Sequence, residues 1–392
     1  MVNTTSLQNN DKNYDMSYGI SGIITAPIGY AVLLFLPIYL EVAAATLGLS
    51  ERQVGLFAAT DACGLALATL LFSLWVKKLN FHTVSLAGVV ITVAGNLLSA
   101  VVQDFTLLCL IRVITGIGEG LLVAVGVCAV GMTANTNRWF GIYTAVIVAV
   151  QAVGLLIVPL AYESWQLSGV FLLMAAFYAL PLLFIKKLPR AAAENEGVGE
   201  PSITPSAPVA ARYIILALLG LLLFYVCIGG VWAYLSFMAT DSGLTLAYVS
   251  KTLSIALLGG LSGAVFFALL GKWGARHSLL FVSSLILIAC LWLFNDIQKG
   301  MFFIVTLLVF NFFWSVIGAR LFALISDADK TGKYISAAQT VVGLGFVLGP
   351  IIGSLLVTDY GYFGINAMAI LSMALCFIAV TPLALLTKRS IS

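Results

Sequence analysis

The sequence is poor in charged residues. Only 9% of its 392 residues are Asp, Glu, Lys or Arg, whereas 61% are hydrophobic. A soluble domain carries about 25% charged residues, so this composition excludes an ordinary soluble protein and predicts an integral membrane protein with several spans. The few basic residues form no stripe with interleaved aromatics, which excludes a nucleic-acid partner.

Histidine is also scarce, and the sequence lacks the usual enzyme motifs. Two histidines near basic residues at span ends exclude a His-rich metal site, and none of the six cysteines forms a C-x-x-C pair. Buried free cysteine packs as a small hydrophobe, so no metal or other cofactor is predicted. No G-x-x-x-x-G-K-[ST] pattern is present, which excludes transport driven directly by ATP. No H-E-x-x-H or G-x-S-x-G pattern is present either, which argues against an enzyme.

Long apolar runs are what the sequence does contain. A helix needs about 20 apolar residues to cross a bilayer. Runs of this kind predict an all-α polytopic membrane protein with twelve transmembrane helices, the sixth and ninth being short. The predicted spans are 18–40, 54–76, 83–102, 106–129, 141–161, 170–185, 213–237, 249–270, 279–294, 301–325, 335–357 and 363–386.

The distribution of Lys and Arg predicts the orientation. With the N-terminus inside, 14 basic residues lie on the inner side, three (Arg52, Lys251 and Lys299) lie outside, and Arg112 and Arg320 lie within spans, which accounts for all 19. Inner loops of membrane proteins are enriched in basic residues, so both termini are predicted to be cytoplasmic. Residues 1–15 lack the basic-then-apolar order of a cleaved signal, and the first span is therefore expected to be retained.

One long connection divides the spans into two sets of six. Its Pro, Gly, Ser and Glu content is typical of a flexible linker. The predicted organisation is a cytoplasmic tail (1–16), an N-terminal six-helix bundle (17–186), a cytoplasmic linker (187–212), a C-terminal six-helix bundle (213–387) and a cytoplasmic tail (388–392).

The two halves align without gaps at an offset of 195 residues. Tyr30 then matches Tyr225, Gly64 matches Gly259, Lys77 matches Lys272, His82 matches His277, Arg138 matches Lys333, and Gly154 matches Gly349. Several matches at one offset indicate a duplicated bundle, although single matches arise easily by chance.

Six plus six spans, a cytoplasmic central loop and this repeat resemble the major facilitator superfamily of secondary transporters. The run Arg112-Val-Ile-Thr-Gly-Ile-Gly118 resembles the Arg and Gly-rich motif of its fourth span, and residues 271–276 resemble its G-x-x-x-D-K/R-x-G-R-R/K signature with Gly271 in place of the Asp. Gly349-Pro350 resembles the Gly-Pro antiporter signature, which the family carries in span five rather than eleven. These departures leave the subfamily unassigned.

The fourth span carries two charges, Arg112 and Glu119. They are seven residues apart, nearly two turns at about 100° per residue, so they share one helix face. Asp61 lies at similar depth in the second span, so either carboxylate can contact Arg112. A charge in hydrocarbon costs about 2.5–3.5 kcal/mol on insertion scales, so these groups should face protein or a water-filled cavity. Proton coupling is predicted for Asp61, Glu119 and Arg112; a static pair that only locks helices is the alternative.

The resemblance implies a midplane cavity between the halves, lined by spans one, four, seven and ten. The candidate substrate-binding residues are Tyr30, Arg112, Gln151, Tyr225, Trp232, Tyr234, Asn311, Trp314 and Arg320. Gln151 and Asn96 can hydrogen-bond a solute, and the alternative for both is hydrogen bonding between helices. For the aromatic residues the alternative is packing against lipid or in the core. For Arg320 the alternative is snorkelling to the interface. The candidate gating residues are Lys272, Arg276, Asp327, Asp329, Gly349 and Pro350.

The function predicted from these features is secondary active transport of a small organic solute by alternating access, driven by protons. Nutrient or organic-anion symport and drug or metabolite efflux by proton antiport both remain open, and a transport-dead receptor on the same fold is a remote alternative. The protein is expected to be a monomer in a bacterial inner membrane. The charges of the first half indicate that it carries proton coupling. Trp314 and Arg320 indicate that the second half lines the substrate-binding cavity.

Overall fold

The computed structural model describes residues 4–133, 135–191, 210–270, 273, 276–297, 300–329 and 333–388. These residues form helices and turns, with no strand among them. The helices are α1 (Thr4–Gly29), α2 (Ala31–Leu34), α3 (Leu36–Leu47), α4 (Glu51–Trp75), α5 (Phe81–Ser99), α6 (Phe105–Gly131), α7 (Thr136–Ala179), α8 (Ala211–Asp241), α9 (Leu246–Leu270), α10 (His277–Leu293), α11 (Met301–Ala328) and α12 (Lys333–Lys388).

These helices make up the twelve predicted spans. Eight helices of the described chain are long and apolar enough to cross a membrane. Two of the eight, α7 and α12, each contain a turn that divides them into two spans. The first span consists of α1 to α3, and the ninth is the short apolar helix α10. The predicted all-α fold with twelve transmembrane helices is therefore confirmed.

Prolines lie on both sides of the interruption in the first span. Pro27 lies inside α1, where it cannot donate a backbone hydrogen bond, and α1 ends two residues later. Pro37 is the second residue of α3, and a residue that precedes proline is disfavoured in the helical conformation. The short helix α2 lies between these two interruptions, bounded by Tyr30 and Phe35.

The turns inside α7 and α12 share one unusual backbone conformation. Gln166 has φ 54° and ψ −150°, and Gly361 has φ 60° and ψ −160°. This region is accessible almost only to glycine. The two residues are separated by the same 195 positions that align the two halves of the sequence.

The described chain forms two compact units. The first contains Met1–Phe35 and Thr60–Val198, and the second contains Leu36–Ala59 and Gly199–Ser392. The boundary between the units therefore falls within the first span, after Phe35, and within α4, after Ala59. The domain boundaries drawn from the sequence stay a prediction.

In the first unit, α6 packs against α1 and α5. Small residues allow the close approach of α1: a Cβ on Gly22 or Gly29 would lie 2.7–2.8 Å from the backbone oxygen of Gly126 or Glu119. At one end of this unit, Phe72, Phe81 and Leu188 belong to a buried apolar cluster.

In the second unit, α8 packs along α12, and α9 packs against α11. The segment from α3 to the start of α4 belongs to this unit. Its polar contacts include a 2.8 Å hydrogen bond from the Thr240 hydroxyl to Glu41 Oε1 and a 3.2 Å hydrogen bond from the Tyr234 hydroxyl to the Glu51 carbonyl oxygen.

Candidate functional site

The first unit contains a buried ion-pair network centred on Arg112. The Arg112 side chain binds Asp61 with two nitrogens, at 2.6 Å from Nη2 to Oδ1 and 3.1 Å from Nε to Oδ2. Its Nη2 also donates to Glu119 Oε1 at 3.4 Å. All three residues are at most 1% exposed. The sequence predicted that Asp61 and Glu119 can each contact Arg112, and both contacts are present.

Glycines on α6 bring α4 close enough for the bidentate pair to form. Gly116 lies against the backbone of Asp61, and a Cβ on Gly120 would lie 2.6 Å from the carbonyl oxygen of Leu65. On another face of α6, a Cβ on Gly118 would lie 2.8 Å from the carbonyl oxygen of Gly88 on α5. This glycine run therefore serves close helix packing.

Two neutral residues complete the network. Arg112 Nη1 donates to Asn96 Oδ1 at 3.0 Å, and Asn96 in turn donates to the Thr92 carbonyl oxygen at 2.8 Å. The Tyr178 hydroxyl donates to Glu119 Oε1 at 2.8 Å. The Phe171 ring lies 5.5 Å from the Arg112 guanidinium carbon and covers it as a cation–π contact.

The two carboxylates of the network differ in how well they are satisfied. Asp61 Oδ2 accepts from Arg112 Nε at 3.1 Å, and its Oδ1 lies 2.6 Å from Arg112 Nη2 as an ion pair, without hydrogen-bond geometry to any group in the described part of the chain. Glu119 accepts both of its bonds at Oε1, while its Oε2 is buried with no hydrogen-bond partner within the described part of the chain. Because each acid has one such oxygen, the distances to Arg112 distinguish them: Glu119 has only the 3.4 Å contact and is the less stabilised anion.

Tyr30 and Gln151, two of the predicted substrate-binding residues, lie in the first unit with Arg112. Tyr30 forms the junction between α1 and α2 and is partly exposed. The Gln151 side chain is buried, and its Nε2 donates to the Leu34 carbonyl oxygen at 3.3 Å. This bond joins two helices, which was the alternative for Gln151; its contact with a solute stays a prediction.

The remaining predicted substrate-binding residues lie in the second unit. Trp232 and Trp314 meet edge to face with ring centroids 5.8 Å apart, and Tyr225 lies 5.6 Å from the Phe346 ring. Tyr234 is buried and bonded to the backbone, as described above. Asn311 donates to the carbonyl oxygen of Leu307 within its own helix, at 2.9 Å.

Arg320 is buried within the second unit. Its exposure is only 2%, so the side chain is enclosed by protein rather than extended to an interface. This position argues against the snorkelling alternative. A buried arginine in a membrane span is a candidate for a functional charge.

The described contacts of the predicted gating residues are with different partners and do not form one cluster. Lys272 lies outside the described residues. Arg276 is exposed and stacks on Trp273, 3.6 Å from the ring centroid. Asp327 is exposed, and Asp329 Oδ2 accepts from the Tyr334 amide at 2.7 Å near the start of α12.

Gly349 and Pro350 lie on α12, within the second unit. A Cβ on Gly349 would lie 2.5 Å from the Gly230 backbone nitrogen of α8, and a Cβ on Gly55 of α4 would lie 2.5 Å from the Pro350 carbonyl oxygen. These residues are therefore points of close helix packing, and their gating role stays a prediction.

Sequence reasoning missed Tyr178. It lies in the sixth predicted span, outside the four spans that line the cavity in the resembled family. The usable signal was its hydroxyl, because a buried tyrosine normally requires a hydrogen-bond partner. Nothing in the sequence indicated that this partner would be Glu119.

The chain matches a family model and known structures over most of its length. The family model described as Major Facilitator Superfamily matches residues 19–329. The nucleoside transporter NupG is 15% identical, with a TM-score of 0.69 over 96% of this chain and 99% of that one. A bacterial homologue of the human lysosomal transporter Spinster, in an inward-facing and unoccupied conformation, is 14% identical, with a TM-score of 0.70 over 96% and 97%.

At these identities the structural likeness shows a shared fold, while the family match covers more than three quarters of the sequence. An integral membrane location and a small-molecule substrate follow from the family. The chain belongs to the major facilitator superfamily and is a secondary transporter.

Proposed function

We propose that this transporter couples the movement of a small organic solute to that of protons, and that Glu119 carries the proton. The single observation that carries the proposal is the buried network in which one arginine faces two carboxylates, all at most 1% exposed. With Arg112 charged and both acids ionised, the network holds one excess negative charge. Protonation of one acid makes it neutral.

This charge balance links protonation to solvent access. An uncompensated buried charge costs several kcal/mol, roughly the loss on breaking a buried ion pair. The neutral form of the network is therefore favoured when the site is dry, and the charged form is favoured when water reaches it. A site that alternates between dry and hydrated states takes up and releases a proton, which is the requirement for coupling.

Glu119 is the better proton carrier, and Asp61 is its competitor. Asp61 is held at both oxygens by Arg112, as a bidentate pair that favours its ionised form. Glu119 has only the longer 3.4 Å contact to Arg112, so its charge is less compensated than that of Asp61 and it is the acid more easily protonated. We assign Asp61 as the permanent counter-ion of Arg112 and Glu119 as the titrating group.

The proposal extends to the transport cycle and the substrate. Alternating access exposes the network to each side in turn, in a monomer in a bacterial inner membrane with both termini cytoplasmic. We assign recognition of a substrate anion to Arg320, a buried arginine within a span of the second unit. Trp232 and Trp314 are the proposed contacts for a ring. Symport of a nutrient or organic anion and antiport of a drug or metabolite are both open, and the direction of the flux separates them.

A flux experiment tests the proposal. A thermal-shift screen of metabolites and drugs on purified protein, at two pH values, first identifies a solute. Its flux is then measured in proteoliposomes under an imposed pH gradient. Glu119→Gln should abolish gradient-driven accumulation and retain exchange of labelled for unlabelled solute at zero gradient, because the variant is fixed in the neutral form. The direction of gradient that drives accumulation distinguishes symport from antiport.

Glu163→Gln is the matched control, because Glu163 is an exposed glutamate on α7. It should accumulate solute like the wild type. If Glu119→Gln and Asp61→Asn both retain gradient-driven accumulation, proton coupling through this network is wrong. Ligand binding without any exchange in the wild type would instead favour the receptor alternative.

A further inference from the structure

The break in the first span interrupts its regular helical structure over a short stretch. α1 ends at Gly29, α2 contains only the four residues Ala31–Leu34, and α3 begins at Leu36. Amides in the first turn of a helix and carbonyls in its last turn have no partner within that helix. Some of these groups are bonded across the break, since the Leu34 amide donates to the Tyr30 carbonyl oxygen and the Phe35 amide donates to the Ala31 carbonyl oxygen, both at 3.0 Å.

Two side chains of α7 satisfy the backbone of this break from opposite ends. The Val32 amide donates to the Tyr178 hydroxyl at 3.3 Å, and Gln151 donates to the Leu34 carbonyl oxygen at 3.3 Å. Tyr178 is fully buried, and Gln151 is 7% exposed. The break, Tyr178 and Gln151 all belong to the first compact unit, and the chain passes into the second unit at Leu36.

The Tyr178 hydroxyl also belongs to the charge network. It accepts from the Val32 amide and donates to Glu119 Oε1 at 2.8 Å. A continuous hydrogen-bonded path therefore runs from Glu119 through Tyr178 to the backbone of the break. Gln151 holds the same break with an amide side chain that does not titrate.

We propose that Tyr178 is a positioning residue that transmits the protonation of Glu119 to the break in the first span and so sets the stability of that break. This inference rests on the proton-carrier role proposed above for Glu119. It adds the mechanical step that coupling requires, because a proton drives a conformational cycle only if its binding changes the stability of an element that moves.

The sign of the effect follows from hydrogen-bond strength. A bond to an ionised carboxylate is roughly twice as strong as one between neutral groups, and bonds in a chain strengthen one another. Protonation of Glu119 weakens the bond from Tyr178, and the hydroxyl then accepts less strongly from Val32. The break is therefore firm when Glu119 is ionised and loose when it is protonated. The other charged or titratable groups facing Glu119 are Asp61 from α4 and Arg112 from its own helix.

Space beside the break allows it to bend. An apolar groove of about 230 Å³ lies in the first unit and is lined by Phe35, Gly154 and Phe177 among others. Phe35 joins α2 to α3, and its ring packs 6.2 Å from that of Phe177. The groove gives the Phe35 ring room to shift when the Val32 bond opens.

Hydrogen–deuterium exchange tests the proposal without a substrate. The full-length protein in lipid nanodiscs is labelled at pH 5.5 and pH 8.0, and the rates are corrected for intrinsic exchange. In the wild type, the peptide covering residues 31–35 should exchange about tenfold faster at pH 5.5, roughly the effect of losing one hydrogen bond. The α1 segment 20–27, packed against α6, serves as the internal reference and should be insensitive to pH.

Three variants separate coupling from simple support. Tyr178→Phe should raise exchange at residues 31–35 at both pH values and remove the difference between them. Gln151→Met should raise exchange but preserve the pH difference, because its bond does not reach Glu119. Tyr162→Phe, a matched change on α7, should behave as the wild type.

The outcomes also distinguish this inference from the proposed function. If Glu119→Gln abolishes proton-driven accumulation but Tyr178→Phe keeps the wild-type pH difference, the relay is wrong and the proton-carrier role stands. If Glu119→Gln retains accumulation, the proton-carrier role proposed for Glu119 is wrong. If Tyr178→Phe does not fold, the wild-type measurement still decides, because equal corrected exchange at residues 31–35 at both pH values overturns the relay.

Discussion

Arg112 is the residue on which the buried polar groups of the first unit converge. Its guanidinium binds Asp61, Asn96 and Glu119 and is covered by the Phe171 ring. A buried arginine tolerates this position only because its charge is compensated and its donors are bonded. The same compensation makes the network asymmetric, since one cation holds two acids.

This asymmetry predicts an order of stability among three variants. Glu119→Gln leaves the neutral Arg112–Asp61 pair, so its thermal stability should remain near that of the wild type. Arg112→Gln leaves two buried acids with no cation and should lower the free energy of unfolding by about 3–5 kcal/mol. Asp61→Asn should lie between them, because only the weaker Glu119 contact then balances Arg112. Melting of the purified proteins in detergent at pH 7 measures the order.

A different ranking would contradict this description of the network. If Glu119→Gln destabilises the protein as much as Arg112→Gln, then Glu119 is a structural partner that the fold requires in ionised form. The static-pair alternative would then be favoured over a titrating site. Repeating the melts at pH 5 provides a control, because protonation of Glu119 should bring wild type and Glu119→Gln together.

The charged residues of the network could be predicted from the sequence, whereas its neutral members could not. The helical period placed Arg112 and Glu119 on one face, and equal depth placed Asp61 near them. Tyr178 and the Val32 amide meet because of the rotation of α7 about its axis and the break in the first span. Both are consequences of tertiary packing, which helical periodicity does not encode.

At the scale of single elements, the turn within α7 stores strain that its counterpart within α12 avoids. Gln166 occupies a backbone region that costs a non-glycine residue about 1–3 kcal/mol, and Gly361 occupies the same region at little cost. The sequence predicted a loop between the fifth and sixth spans but not so tight a turn. Without coordinates, a glutamine gives no sign of a positive φ.

The backbone strain predicts that two substitutions change the stability in opposite directions. Gln166→Gly should stabilise the protein by about 1 kcal/mol, because it relieves the backbone strain at a partly offsetting entropic cost. Gly361→Gln should destabilise it by a similar or larger amount, and sterics do not explain that loss because a Cβ at Gly361 would meet nothing within 4 Å. Thermal unfolding of the two variants beside wild type checks both signs. A loss of stability in Gln166→Gly would show that the glutamine side chain makes a compensating contact.

At the scale of the whole molecule, the two halves repeat their packing but not their chemistry. Gly64 lies against the Val113 backbone in the first unit, and 195 residues later Gly259 lies against the Leu308 backbone in the second. In the same way, Gly154 lies against Phe35 in the first unit, and 195 residues later Gly349 lies against Gly230 in the second. The matches found in the sequence therefore mark real packing contacts of a duplicated bundle.

The charge network has no counterpart in the second half. Its five members Asp61, Asn96, Arg112, Glu119 and Tyr178 correspond at the 195-residue offset to apolar side chains. These counterparts are Ala256, Leu291, Leu307, Trp314 and Met373. The first half thus has the groups that a proton needs, while the second presents Trp314 and Arg320, which suits the proposed division between coupling and substrate binding.

The central claim is that Glu119 binds and releases a proton, and infrared difference spectroscopy tests it most directly. The spectrum of the protein in lipid is recorded while the pH is changed, and the carbonyl band of a protonated carboxylic acid is followed. We predict a titrating band that is present in the wild type and absent in Glu119→Gln. In Asp61→Asn the band should move to lower pH, because Glu119 then becomes the sole counter-ion of Arg112. A band that persists unchanged in Glu119→Gln, or no titrating band in the wild type, would contradict the claim.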